Sequence, residues 1–464
     1  MKKKDYLLLS AILLVHLLLL IFLKFTAWPE MSLWPYLMTK GWLPYKDIAI
    51  AHTPLMLVDL SIFFKIFGAG IIQLKAFTWI LILLLDGLVF YVSRKLWNTK
   101  TAIMALMVNG LWLMFYDGNG LWFDLYMGLM AFTSYYFAKK KNWLWTGIFW
   151  ALAFISKQTA VWFLIPIGLE MVNGKRLMVK KNIRSFIPGT LAIIVPFIVI
   201  LAAFGILSDF WNWAVKFGVF TLPGAAGQIQ LPNLRNLTVA AFPFLIFLPL
   251  LLNHKQSLTK LEFGKSSTIN LLLWAIAGSL GAYPRFEFFH FQPAIPFLAI
   301  ASAGFFISKI WKNLPIKIFT TLYIVGCLGL FGGFFIRNVG EGTRFYETDV
   351  KEVALYIKYN VDPGERIFVM NWWDNLYALT DTIPSTDPWV PQLSWYMEAP
   401  GIQEEMIDGL RQNPPKLIIF NPYTDFGLSA YKPEKVYEFV TENYKLSGKV
   451  DGVEILIRKQ YVSR

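Results

Sequence analysis

This chain of 464 residues has one cysteine and few charges, and both shortages exclude whole classes of protein. The single thiol, Cys327, sits in an apolar run, so neither a disulfide framework nor a cysteine-based metal site can form within one chain. Charged residues are 16% of the total against 56% hydrophobic, with long uncharged runs, which excludes an ordinary soluble domain. The composition is that of a polytopic membrane protein. The formal charge of +13 does not mark a nucleic-acid binder, because the basic residues fall in short clusters between apolar runs, as in cytoplasmic loops. No small-x-small cleavage site follows MKKKDYLLLSAILLVHLLLLIFLKF, so this stretch reads as a retained first span. His16 inside it has no ionisable companion in the sequence and reads as a packed or interhelical polar residue.

Topology follows when every Lys/Arg cluster is placed on the side of Lys2, Lys3 and Lys4. The later clusters are Arg94, Lys95 and Lys100; Lys139 to Lys141; Lys175, Arg176, Lys180, Lys181 and Arg184; Lys255, Lys260 and Lys265; and Lys309, Lys312 and Lys317. Eleven spans satisfy them, near 6–25, 71–93, 101–116, 122–138, 143–157, 159–173, 186–206, 236–253, 268–284, 292–309 and 316–336. The N-terminus is then cytoplasmic and the C-terminus exterior. The leftover piece TPLMLVDLSIFFKIFG, broken by Asp59 and Lys65, is too short to span and reads as an interfacial helix, with PEMSLWPYLMTKG as a second. After Arg337 the pattern alternates helix and strand, with strands RIFVM at 366–370 and KLIIF at 416–420. The expectation is a transmembrane domain at 1–336 and an exterior soluble α/β domain at 337–464. The fold class is thus mainly α, polytopic, with interfacial helices in the first exterior loop and a small C-terminal α/β domain. The clean positive-inside loops and lack of cysteine pairs fit a prokaryotic plasma membrane.

The outward loops carry the chemistry-bearing residues. The first, FTAWPEMSLWPYLMTKGWLPYKDIAIAHTP at 25–54, holds Glu30, Tyr45, Asp47 and His52. Others hold Asp117 and Asp124, then Lys157 in the turn SKQT, then DFWNWAVKF followed by LPGAAGQIQLPN, and PRFEFFHFQ with Arg285, Glu287 and His290.

The segment GWLPYKDIAIAHTPL after a loop carboxylate resembles a pattern of the C-type (GT-C) glycosyltransferases, the polyprenyl-phosphate-sugar enzymes that include protein O-mannosyltransferase-like and aminoarabinose-transferase-like families. FDLYMGLMAF, GIFWALAFISKQTAVWFLIPI and PRFEFFHFQPAIPFLAI resemble their later segments, in order. The resemblance implies inverting transfer on the exterior face: a carboxylate takes the acceptor proton, and the lipid phosphate leaves, stabilised by cations and in some members by a divalent metal. By position, Glu30 matches the first-loop carboxylate, Asp124 the second-loop Asp, Lys157 the lysine between the fifth and sixth spans, and Arg285 and His290 the late-loop basic positions. The lone Glu30 and its spacing to Gly41 depart from the family pattern, which keeps Asp47 as a second candidate base.

Each residue also has a plainer reading. Glu30 caps the helix after Pro29, and Asp47 makes a turn after Pro44. A buried Lys157 needs an anion, met either by a lipid phosphate or by Asp124 or Asp117. Arg285 and His290 join Lys157 as donor-phosphate ligands. Glu287 and His290, three apart, either bind a divalent metal with His52 or satisfy one another. Asp124, Asp117 and Tyr45 orient substrate, or Asp117 is a solvated turn. The pairs Trp211/Trp213 and Trp372/Trp373 stack on sugars or anchor the fold. The expected partners are a polyprenyl-phosphate sugar, a lipid, glycan or protein acceptor, and membrane lipid. A transporter or flippase of a lipid-linked saccharide is the rival reading, opposed by the odd span count, the two interfacial helices, the large exterior domain, the polar residues gathered at the outer surface rather than at midplane, and the lack of an internal repeat. A lipid-linked glycan polymerase or ligase would call for a long basic loop where 207–235 is sparsely charged.

Overall fold

The computed structural model describes residues 3–172, 176–225, 228–252, 265–308, 314–340, 342–425 and 430–459. Lys2, Lys175, Lys255, Lys260, Lys309 and Lys312, used above to set topology, lie outside the described residues. In chain order come α1 (Lys3–Phe22), α2 (Pro29–Thr39), α3 (Leu55–Phe67), α4 (Ile71–Leu96), α5 (Thr99–Leu113), α6 (Phe123–Lys139), α7 (Trp143–Phe154), α8 (Leu164–Val172) and α9 (Arg176–Ala203). There follow α10 (Leu234–Ala241), α11 (Lys265–Ser279), α12 (Ile295–Ser308), α13 (Leu314–Asn338), α14 (Thr348–Asn360), α15 (Ile402–Gln412) and α16 (Glu434–Asn443). Helical segments lie in every stretch expected to span. Among the described residues six are long and apolar enough to cross a bilayer: Lys3–Phe22, Ile71–Leu96, Val179–Ala203, Leu234–Leu252, Phe288–Ile307 and Leu314–Asn338. The chain is a mainly helical, multi-pass membrane protein that also contains a small five-stranded sheet.

It divides into two compact units that interleave along the sequence. The first comprises Met1–Thr26, Ala76–Phe197 and Gln230–Glu341. Its helices start where side chains can satisfy free backbone N–H groups: Asn98 Oδ1 accepts from Thr101 N at 2.9 Å before α5, and Asn233 Oδ1 from Asn236 N at 2.8 Å before α10. The start of α1 and the end of α4 are tied by Asp5 and Arg94, 3.2 Å apart. At the other end of α1, Lys24 N donates to Asn338 O at 2.8 Å and Gly340 N to Phe22 O at 3.1 Å, which brings the end of α13 alongside.

Inside this bundle His16 Nδ1 lies 2.5 Å from Asp86 Oδ2, and Asn109 Nδ2 donates to Asp86 Oδ1 at 2.9 Å. The histidine is the interhelical polar residue expected, but the premise that it has no ionisable companion is wrong: Asp86, distant in sequence and wrapped in apolar neighbours on α4, is fully buried beside it. In a low-dielectric interior each of these groups needs the others.

The second unit comprises Ala27–Lys75, Ile198–Ile229 and Gly342–Arg464. Its centre is a five-stranded mixed sheet of β1 (Arg366–Met370), β2 (Ile383–Pro384), β3 (Ile418–Phe420), β4 (Tyr444–Val450) and β5 (Val453–Arg458), in the order β2-β1-β3-β5-β4. The first three are parallel, and β5 runs antiparallel to β3. Asp451 and Gly452, both at positive φ, make the tight turn between β4 and β5. The first loop belongs to this unit's core. Ala49 and Ala51 pack with Phe368, Met370 and Phe420 of the sheet, and Ala49 N donates to Trp389 O at 2.9 Å while Trp389 N donates to Asp47 O at 2.8 Å.

Candidate functional site

Two constellations of polar residues stand out, one in each unit. In the first unit, Asp124 occupies the opening turn of α6, where the helix dipole favours a negative charge. Lys157 precedes the short 3-10 helix Gln158–Phe163, and His290 lies on another, Phe288–Ala294. Lys157 Nζ is 2.6 Å from Asp124 Oδ2, His290 Nδ1 is 3.0 Å from the same oxygen, and Lys157 Nζ and His290 Nδ1 are 3.0 Å apart. Asp124 is 0% exposed and Lys157 2%. So compact a buried trio holds together because the carboxylate offsets the ammonium, and the imidazole bonds to either according to its tautomer. An ammonium has three donors. Lys157 donates to Asp124, and also to His290 in the tautomer whose Nδ1 accepts, so at least one donor is left, and Asp124 Oδ1 is buried with no hydrogen-bond partner among the described residues.

Close backbone packing fixes the His290 segment. A Cβ on Gly128 of α6 would lie 3.1 Å from Pro293 Cα, and one on Gly278 of α11 would lie 2.8 Å from Ala294 N. Two glycines thus let two helices close on this short turn. Gln292 Nε2 donates to Tyr116 O at 3.0 Å, joining the turn to Met114–Gly118, where Asp117 takes a positive φ of 54°. Arg285 is held near His290 in sequence by backbone pairing, Phe286 N donating to Gln230 O at 2.9 Å. Glu287 faces Arg285, Oε1 to Nε 3.9 Å, and its backbone carbonyl accepts from His290 N at 3.2 Å. The expected side-chain pairing of Glu287 with His290 is therefore not formed: the imidazole turns to Asp124.

In the second unit Glu30 sits in the first turn of α2 behind Pro29, half-buried. Its charge is felt by Asp374 and Tyr396. Burial first, then the Glu30 carboxylate, hold the Asp374 carboxyl well above its ordinary value. Burial and the same carboxylate also raise the Tyr396 phenol. Asp374 follows Trp372 and Trp373 just beyond the carboxyl end of β1, a parallel strand; ligand-binding groups gather at such ends, which is the signal that marks it in sequence. Trp373 packs edge-on against Phe345 at 4.9 Å, and Phe345 against Trp28 at 5.2 Å, linking the Asp374 segment to the turn before Glu30.

The other first-loop residues serve the loop itself. Asp47 Oδ2 accepts from Leu43 N at 2.7 Å, the turn anticipated as its plainer role. It also joins burial in raising the carboxyl of Asp387. Tyr45 is 1% exposed, takes a φ of 71°, and donates its hydroxyl to His52 O at 2.9 Å, so it is built into the interior of the loop. Trp213 packs on Phe217 and Tyr396 in the core, while Trp211 is exposed. Among the described residues no three His, Cys, Asp or Glu side chains gather to hold a metal ion. His290 Nδ1 is engaged by Asp124 and Glu287 faces Arg285, and no step of the chemistry is assigned to a metal.

The family model for dolichyl-phosphate-mannose-protein mannosyltransferases matches residues 51–202, a segment that contains Asp124 and Lys157. No curated protein matches in sequence. In structure the chain is similar to ArnT from Cupriavidus metallidurans in the apo state, with a TM-score of 0.66, 12% identity and 97% of each chain covered. The same protein bound to undecaprenyl phosphate gives 0.64 at 12% identity, with 100% of each chain covered. The archaeal oligosaccharyltransferase AglB from Archaeoglobus fulgidus, in complex with an inhibitory peptide and a dolichol-phosphate, gives 0.53 at 11% identity, covering 100% of this chain and 75% of that one. The fold as a whole is therefore similar to those of ArnT and AglB, and the mannosyltransferase family model matches within it at residues 51–202.

Proposed function

We propose that this chain, with a C-type glycosyltransferase fold and a mannosyltransferase-family segment, transfers a sugar from a polyprenyl-phosphate donor to an acceptor on the exterior face of the membrane. The observation that carries the reading is the buried Lys157 ammonium, fixed by Asp124 and His290 with a donor to spare, inside the family-matched segment.

Displacing a sugar from phosphate needs an activated acceptor and stabilisation of the leaving charge. Glu30 takes the acceptor's hydroxyl proton as that oxygen bonds to the anomeric carbon. The bond from that carbon to the phosphate oxygen breaks, and the electron pair leaves with the lipid phosphate, inverting the anomeric centre. Lys157 stabilises the departing phosphate, joined by Arg285, while Asp124 and His290 hold the ammonium in place. Asp374, whose proton is favoured by burial and by Glu30, leaves the negative charge of that pair on Glu30. Asp47 remains the second candidate for the base. The N-terminus is cytoplasmic and the C-terminus exterior in this reading, as the Lys and Arg clusters favour.

The test is transfer of radiolabelled sugar from polyprenyl-phosphate sugars by purified protein in detergent. Loss of transfer in both Glu30→Gln and Lys157→Met, with folding intact, supports the roles. Loss in Asp47→Asn alone moves the base to Asp47. Lysine-dependent lipid-phosphate binding with no transfer from any donor would turn the reading to the flippase.

A further inference from the structure

A cavity of about 480 Å³ lies in the first unit at the far end of α13, lined by Phe115, Arg235, Val239, Leu330, Ile336 and Arg337 together with Gly329 and Gly333. Its two cations come from opposite chain directions. Arg235 is the second residue of the apolar run Leu234–Leu252, and Arg337 is the last but one of α13. Both therefore stand at one edge of the bundle. That edge is away from Lys3 and Lys4: α13 ends beside the end of α1, through Lys24 N to Asn338 O, whereas Arg94 joins the start of α1 through Asp5. Lysine and arginine at span ends are selected for the cytoplasmic side, so two arginines converging at the opposite edge call for a specific counter-charge.

Among the described residues neither arginine forms an ion pair with a carboxylate. Arg337 donates Nε to Gly333 O at 2.9 Å, and both guanidinium groups are exposed at the cavity mouth. Below them the wall is apolar. A Cβ on Gly329 would meet nothing within 4 Å, and one on Gly333 only Arg337 Nη2 at 3.9 Å, so these glycines leave a furrow along α13. The furrow continues onto a face already suited to lipid, with Ile336 85%, Leu328 67% and Val325 60% exposed. Phe115 makes its firm side, packed on Phe331 at 6.0 Å and Phe334 at 5.7 Å.

Two guanidinium forks above an apolar furrow match a phosphate carried on an acyl chain. We propose that Arg235 and Arg337 hold the phosphate of an anionic phospholipid of the outer leaflet, with an acyl chain along the furrow at Gly329 and Gly333. This rests on the exterior placement of that edge adopted above. The site is separate from the enclosed trio of Lys157, Asp124 and His290 proposed for the donor, since its mouth is open and its cations are exposed. Its outer wall, Phe115, adjoins the Met114–Gly118 turn that Gln292 ties to the His290 segment. A lipid seated there steadies that turn.

The test is native mass spectrometry of the full chain released from detergent, titrated with phosphatidylglycerol, phosphatidylcholine or undecaprenyl phosphate. The expected result is one retained phosphatidylglycerol that phosphatidylcholine does not displace, bound at least about tenfold more weakly by the double variant Arg235→Gln/Arg337→Gln. Gly329→Leu, which keeps both arginines and fills the furrow, weakens it as well and serves if the double variant fails to fold. Equal phosphatidylglycerol binding by wild type and both variants overturns the proposal. One-for-one displacement by undecaprenyl phosphate also overturns it, by giving the groove to the donor. Lipid retention is read without sugar transfer, so failure of the transferase reading and failure of this site are distinguishable.

Discussion

Lys157 Nζ and Asp124 Oδ2 are 2.6 Å apart in an interior where neither residue is more than 2% exposed. A pair so enclosed responds asymmetrically to mutation, because removing one partner strands the other's charge. Asp124→Asn and Lys157→Met are each expected to destabilise the folded protein by roughly 3 kcal/mol. The double variant should be closer to wild type than the sum of the two. Thermal unfolding in detergent measures all three. Additive losses would show that the two side chains do not act as a pair.

Replacing the first-loop carboxylates should separate chemistry from architecture. Glu30→Gln is expected to lower the rate of transfer by roughly a hundredfold or more, the usual contribution of a general base, with donor binding little changed. Asp47→Asn weakens the turn at Leu43 N and should cost about 1 kcal/mol of stability with transfer largely kept. Rates at saturating donor, read beside melting temperatures, distinguish the two; the reverse pattern would exchange their roles.

The Asp374 carboxyl gives a pH signature. Its folded-state value lies above the ordinary 3.8, owing to burial and then to Glu30, so the folded chain keeps a proton that the unfolded chain releases. Stability from this group is complete below the ordinary value and falls as pH rises through the raised one. Asp374→Asn is therefore expected to be more stable than wild type at pH 8, with the advantage shrinking towards pH 4. Glu30→Gln should narrow that window without closing it, because burial is the larger cause. A melting-temperature difference that is flat with pH would contradict this.

Gly278→Ala tests the seating of His290. The added methyl would lie 2.8 Å from Ala294 N and from Pro293 C, so the 288–294 turn must shift. Transfer should fall about tenfold or more, since misplacement of a positioned group by an ångström costs up to two orders of magnitude. Gly168→Ala, with nothing within 4 Å of the added carbon, is the matched control and should be neutral.

Local pattern carried much of this architecture. Hydropathy and basic clusters located the helical stretches, and the strands at 366–370 and near 416–420 are where alternation with helices placed them. Lys157 was conspicuous because an ammonium among apolar residues demands a partner, and Asp124 was one of two named for it. What stayed hidden depends on contacts distant in sequence. Asp86 gives no sign in a leucine-rich run that His16 is opposite, and Glu30 carries none of Asp374. Nor does the motif around Ala49 and Ala51 announce that its small residues belong under a sheet formed by the last third of the chain.

That last arrangement bears on how the protein is made. Residues 47–51 emerge early in synthesis, yet Trp389 and the strands they join are translated only after every spanning segment. The second unit therefore cannot close until synthesis is almost finished, and the early loop must wait with its apolar face uncovered while the intervening helices insert. Non-local pairing of this kind slows assembly and prolongs exposure to aggregation, so the first loop is the part of the nascent chain most in need of a chaperone or of the membrane surface as a temporary cover.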